Sequence, residues 1–145
     1  MTDISFHFNV TDPFAYTCRL LRKACASRAK VAVTAEPDAL AQLDQLLWSF
    51  SATEFVPHCR VNAGATLMED LSVLLVESPA KCPHHGVLVN LGLTIPDGFE
   101  RFERFIEVVT TGPEERRAAR NRWKHYSVRG YALQKHDLKG TGEGA

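Results

Sequence analysis

The sequence predicts a three-layer α/β domain, a mostly parallel sheet with helices on both faces. Two observations carry this. The runs "LSVLLVES" (71–78) and "HGVLVNLG" (85–92) are continuous, apolar and of strand length, the pattern of strands buried on both sides. Around them, segments of period two alternate with segments of helical period, so strands and helices succeed one another along the chain. At 145 residues, 45% hydrophobic and 23% charged, the chain is one globular domain with enough apolar surface to bury a core.

The elements follow in order. Ile4, Phe6, Phe8 and Val10 alternate with polar neighbours and predict a first strand with one apolar face. Asp12 caps and Pro13 opens a helix through "FAYTCRLLRKACASRA", whose Phe14, Thr17 or Cys18, Leu21, and Ala24 or Cys25 recur at helical spacing. "KVAVTA" (30–35) is a short β-branched strand, and "EPDALAQLDQLLWSF" a second helix carrying Leu40, Leu43, Leu47 and Trp48. The segment 59–70, polar and glycine-containing, reads as an exposed loop before the two apolar strands. "GFERFERFIEVV" places Phe99, Phe102 and Ile106 near helical spacing, so a helix is expected there, its end turning into a strand. Pro113-Glu114-Glu115 starts the last helix, with acids near its positive end. "RGYALQKHDL" reads as the final strand. Residues 1–138 form the single domain, and 139–145, "KGTGEGA", are expected to be a disordered tail.

Composition excludes several function classes. Seventeen basic and seventeen acidic residues give a net charge of zero, which argues against a protein that coats nucleic acid. The start lacks the basic and apolar regions of a signal peptide, and no run approaches a membrane span, so the protein is expected in the cytoplasm with no membrane partner. Cys18, Cys25, Cys59 and Cys82 contain no CxxC pair and read as free thiols, mostly buried.

Catalytic and cofactor motifs are missing where this fold would carry them. Neither GxGxxG nor GxxxxGK[ST] occurs, and the turn after the first strand, "VTDPF", has no glycine to cradle a phosphate. His58 and Cys59, then Cys82, His84 and His85, supply zinc-type ligands, but not at ligand spacing. No nucleophile elbow is present, and Asp12, Asp38, Asp70 and Glu77 have no evident partners. No cofactor, metal or catalytic constellation is expected.

Two stretches remain. From Glu114 to Arg129, six cations (Arg116, Arg117, Arg120, Arg122, Lys124, Arg129) stand against two acids, a local charge of +4 in a neutral chain. Arg116, Arg120 and Lys124 recur at four-residue spacing, with Trp123 on the adjoining face. A solvated helix face is the plain reading of such a run. An indole beside cations also makes an apolar floor with a positive rim, suited to a ligand that joins an aromatic end to carboxylates, or to single-stranded nucleic acid. The zero net charge favours the compact acidic ligand. The other stretch, "LLWSFSATEFVPH", gathers Trp48, Phe50 and Phe55 where a helix ends, as core or as an exposed patch for a partner.

Taken together, "LDQLLWSFSATEFVPH" and "RNRWKHYSVRGY", in that order and separation, resemble the chi subunit family of bacterial DNA polymerase III holoenzyme. The likeness also takes in the Phe-rich first strand, the Cys-bearing helix and the "KVAV" strand. It implies a non-catalytic clamp-loader accessory with a Rossmann-like fold and no phosphate-binding loop. It implies binding to the acidic C-terminal tail of single-stranded-DNA-binding protein, a tail of Asp residues ending in Pro and Phe, so that DNA is met only indirectly. On this chain the family's tail-binding positions match Arg120, Trp123 and Lys124; Trp123 stands where the family commonly has Tyr. A basic position sometimes found in the family is Ser127 here, which leaves the rim weaker or shifts that role to Arg116 or Arg129. The surface facing the psi subunit matches Trp48 and Phe55, with Pro57 nearby; a helicase-like repair protein is the other partner for it. A small α/β enzyme holding an acidic substrate on the Arg/Lys helix is the competing reading, with a cysteine nucleophile such as Cys59 or Cys82.

Overall fold

A computed structural model describes residues 2–27, 29–49, 58–60, 73–82 and 84–138. The strands are β1 (Asp3–Val10), β2 (Val31–Thr34), β3 (His58–Arg60), β4 (Val73–Val76), β5 (Val87–Asn90), β6 (Arg104–Thr110) and β7 (Leu133–Asp137). Among the described residues the helices are α1 (Pro13–Ala26), α2 (Pro37–Ser49) and α3 (Pro113–Val128), with single 3₁₀ turns at Pro79–Lys81 and Phe99–Arg101. The seven described strands join one sheet in the order β3-β4-β2-β5-β6-β1-β7, and every pairing in it is parallel. With helices on both faces, this is the three-layer, Rossmann-like architecture expected from the sequence.

Each face has its own core. On one, Ile4, Phe6, Leu74, Leu88, Phe105 and Val109 of the strands meet Ala119 and Tyr126 of α3 and the Phe99 turn. On the other, Val31, Val33, Val73, Leu75 and Val89 meet Cys18 and Leu21 of α1 and Leu40, Leu43 and Leu47 of α2. β2 and β4 are buried along their whole length, which is why their sequences are unbroken apolar runs. Asp12 caps α1: its Oδ1 accepts from the Ala15 N–H at 3.1 Å.

Three expectations change. Residues 98–109 are not a helix; a 3₁₀ turn, Phe99–Arg101, leads into β6. Phe99 and Phe102 have helical spacing because the turn buries both, while Phe105, Glu107 and Val109 then alternate as strand residues facing α3. The first strand does not keep one apolar face either. Asn9 adopts φ 63°, and the register of β1 against β6 shifts between His7 and Val10. The bulge sends Val10 to the α1 core while Ile4 and Phe6 stay in the α3 core. Finally, His58–Arg60 form the edge strand β3 instead of opening a loop. The rest of 59–70 and the tail 139–145 lie outside the described residues.

Candidate protein-binding site

α3 begins after Gly112 with Pro113 in its first turn and Glu114 and Glu115 beside its positive end. Its buried stripe is Ala119, Arg122 and Tyr126. A buried arginine needs a partner, and β6 supplies one. Arg122 Nε donates to Glu107 Oε2 at 2.9 Å, and Arg122 Nη1 donates to the Leu93 carbonyl at 2.7 Å. The Tyr126 hydroxyl donates to the same Glu107 oxygen at 2.7 Å, and Asn90 Nδ2 donates to Glu107 Oε1 at 2.8 Å. Burial pushes the Glu107 carboxyl up and Arg122 opposes it. The contacts from Arg122 Nε, Tyr126 and Asn90 all donate to Glu107, so the geometry fits the ionised carboxylate. Burial and the adjacent Glu107 push the Tyr126 phenol far up, so it stays a donor. The network fixes which side of α3 faces the sheet.

Arg122 therefore does not belong to the cationic surface with which its neighbours were grouped. Its side chain is 4% exposed and pairs with Glu107, which is 0% exposed. Arg116, Arg117, Arg120, Lys124 and Arg129 are exposed. At ~100° per residue, Trp123 lies roughly 20° from Arg116, 60° from Arg120 and 100° from Lys124 around α3. Arg120 lies one turn before Trp123 and Arg116 two turns before it, ~4.5 and ~10.5 Å along the axis at ~1.5 Å per residue. Arg129 is engaged elsewhere, its Nε donating to His125 Nε2 at 2.9 Å.

Trp123 is half-buried. Its ring meets Phe6 edge-on, with centroids 5.1 Å apart. Lys135 of β7 places its Nζ 5.1 Å from the centroid of the same ring. Sequence reasoning missed Lys135. The signal was the alternation in β7: Leu133 packs against the α3 core, and Lys135, two residues on, shares that face. A separate depression on α3 is lined by Asn121, Lys124, His125, Val128 and Arg129; Val128, at its apolar point, is 79% exposed.

Of the other predicted surface, Trp48 alone falls among the described residues. Trp48 is in the last turn of α2, which packs on the opposite face from α3 and toward β3 and β4. Phe55 and Pro57 lie outside the described residues. As for nucleophiles, Cys18 and Cys82 are buried free thiols. Burial pushes Cys18 up to about 11 and raises Cys82, so neither is a thiolate at neutral pH. Cys59 lies on β3, and among the described residues no three His, Cys, Asp or Glu gather to hold a metal ion. No described helix is long and apolar enough to cross a membrane.

The family model described as DNA polymerase III chi subunit, HolC, matches residues 1–134. The chain belongs to the DNA polymerase III chi subunit family. It is also 34% identical over 143 residues to DNA polymerase III subunit chi of Pseudomonas aeruginosa, covering 95% of this chain and 98% of that relative. The chi family match takes in all of α3 and ends within β7, one residue before Lys135. Membership places the chain in DNA replication as an accessory subunit of DNA polymerase III.

Proposed function

We propose that this chain is a non-catalytic accessory of the clamp-loader complex. In this reading it binds the acidic, Phe-ended C-terminal tail of single-stranded-DNA-binding protein and so ties the replicase to coated template. The observation that carries the reading is the half-buried Trp123, seated on Phe6 with Lys135 over its ring, on a helix that also exposes Arg116, Arg120 and Lys124. The terminal Phe of the tail packs against the indole's free surface, and its carboxylates meet the cations. Exposed ion pairs contribute ~0–1 kcal/mol each, whereas an aromatic anchor contributes ~2 kcal/mol or more. The anchor therefore sets affinity, and the cations set rate and salt dependence.

The psi subunit or a helicase-like repair protein binds through Trp48, Phe55 and Pro57. Because α2, which carries Trp48, packs on the sheet face away from α3, both partners can bind at once, as a bridging subunit requires. Its place is the cytoplasm, with the replicase. Isothermal calorimetry with a tail peptide of Asp residues ending in Pro-Phe tests the tail reading. Micromolar binding is expected, and unchanged affinity in both Trp123→Ala and Lys124→Glu would sink it.

A further inference from the structure

The face of the sheet away from α3 carries a groove of about 410 Å³ between α1 and strands β1, β5, β6 and β7. Its volume lies in the range of small-molecule sites, ~300–1,000 Å³. The floor is apolar, with Leu20 and Ala24 of α1 facing Ile106 of β6. The rim carries Lys23, Arg104, His7 and His136, and among the described residues none of the lining is acidic. Asp3, beside Arg104 in the register of β1 against β6, lies outside the lining.

Two features show that the rim is built. β1 pairs with β7 so that His7 sits opposite His136, and their rings lie 4.7 Å apart. Nδ1 of His7 and the Tyr16 hydroxyl share a hydrogen bond that orients the imidazole. Burial first, then the nearby His136 and Arg104, push His7 down to about 4, so His7 stays neutral and the charge of the rim comes from Arg104 and Lys23. Those two cations match an anion, and the apolar floor takes whatever is attached to it.

We propose that this groove binds a small organic carboxylate with a compact apolar body, its acid group between Arg104, His136 and Lys23 and its apolar part against Leu20, Ala24 and Ile106. The site is independent of α3, because alternation in β7 turns His136 into the groove and Lys135 toward Trp123.

The test is an NMR titration of the full chain with octanoate, octanol and octylamine as probes. Imidazole signals are assigned through His7→Gln and His136→Gln. Saturable shifts of His7 and His136 are expected with octanoate, at least tenfold weaker with octanol and absent with octylamine. Arg104→Glu should weaken octanoate at least tenfold, and His136→Glu provides a second exposed-site variant with the same expectation. Equal saturation by octanol and octanoate overturns the proposal, as do octanoate shifts that spare the groove or survive both charge reversals. Tail-peptide binding measured with octanoate present reports on α3 separately, so loss of either reading leaves the other tested on its own.

Discussion

Lys135 lies over the ring of Trp123, its Nζ 5.1 Å from the centroid, while Phe6 meets the same ring from the core. The indole is thus held by its own protein on one side and decorated with a cation from a different element. A carboxylate arriving at Trp123 meets positive charge from β7 as well as from α3. Lys135→Glu should therefore weaken an acidic tail peptide about fivefold or more, with the melting temperature near wild type because Lys135 is exposed. Calorimetry and thermal denaturation on the same samples check both halves. Wild-type affinity in Lys135→Glu removes β7 from the site.

Trp123→Ala should do two things at once. Loss of the anchor lowers tail affinity by ~2 kcal/mol, roughly thirtyfold. Loss of the edge-on contact with Phe6 also lowers the melting temperature, since buried aromatic pairs contribute ~0.5–1.5 kcal/mol beyond their area. Trp123→Tyr keeps a flat aromatic surface and should retain most of both. A tyrosine variant as weak as alanine would mean that the flat surface is not what the tail reads.

Glu107 and Arg122 predict a stability effect with no binding counterpart. Arg122→Leu leaves Glu107, fully buried, without its cation, and breaking such a pair costs about 3–5 kcal/mol. Glu107→Leu with Arg122→Met removes both charges and should recover much of that loss. Urea denaturation of the two single variants and the double variant gives the coupling directly. If Arg122→Leu unfolds like wild type, the network does not hold α3.

This pair also shows where local pattern stops informing. Arg122 sits among cations that are exposed, and nothing in "RNRWKHY" marks it as the inward one. Its partner lies fifteen residues earlier, in a segment whose apolar spacing reads as helix. A charge inside a strand looks like a solvent position until its partner is known. By contrast, β2, β4 and β5 were legible because burial on both sides leaves an unbroken apolar run. α3 was legible from Pro113 and the acids that follow it. The candidate site was half legible: Trp123 and its α3 neighbours share one helix, but Lys135 reaches the ring only through the pairing of β7 with β1.

Two glycines with the same backbone should respond differently to alanine. Gly98 has φ 86°, and an added Cβ would stand 2.8 Å from the backbone of Ala80. Gly130 has φ 85° with nothing within 4 Å. Gly130→Ala should cost only the conformational penalty, ~1–2 kcal/mol. Gly98→Ala adds a collision of the new Cβ with the Ala80 backbone and should cost clearly more, shifting the 3₁₀ turn that carries Phe99 into the core. Equal melting temperatures for the two variants would contradict the close approach of Gly98 to Ala80.

Acid should weaken the fold before the carboxylates titrate. His7 is held neutral, its folded value lowered to about 4 by burial, then by His136 and Arg104. The unfolded chain takes up that proton near pH 6.5. Between about 6.5 and 4 the unfolded state therefore binds more protons, and stability falls as pH falls. His84 acts with the same sign, lowered by burial and then by Lys30 and His85. Urea midpoints at pH 7 and pH 5.5 should show the loss in wild type and a smaller loss in His7→Gln. The comparison cancels the titrating groups that do not touch His7, because both proteins carry them. An identical pH dependence in the two would mean that His7 is no more shielded in the fold than in the open chain.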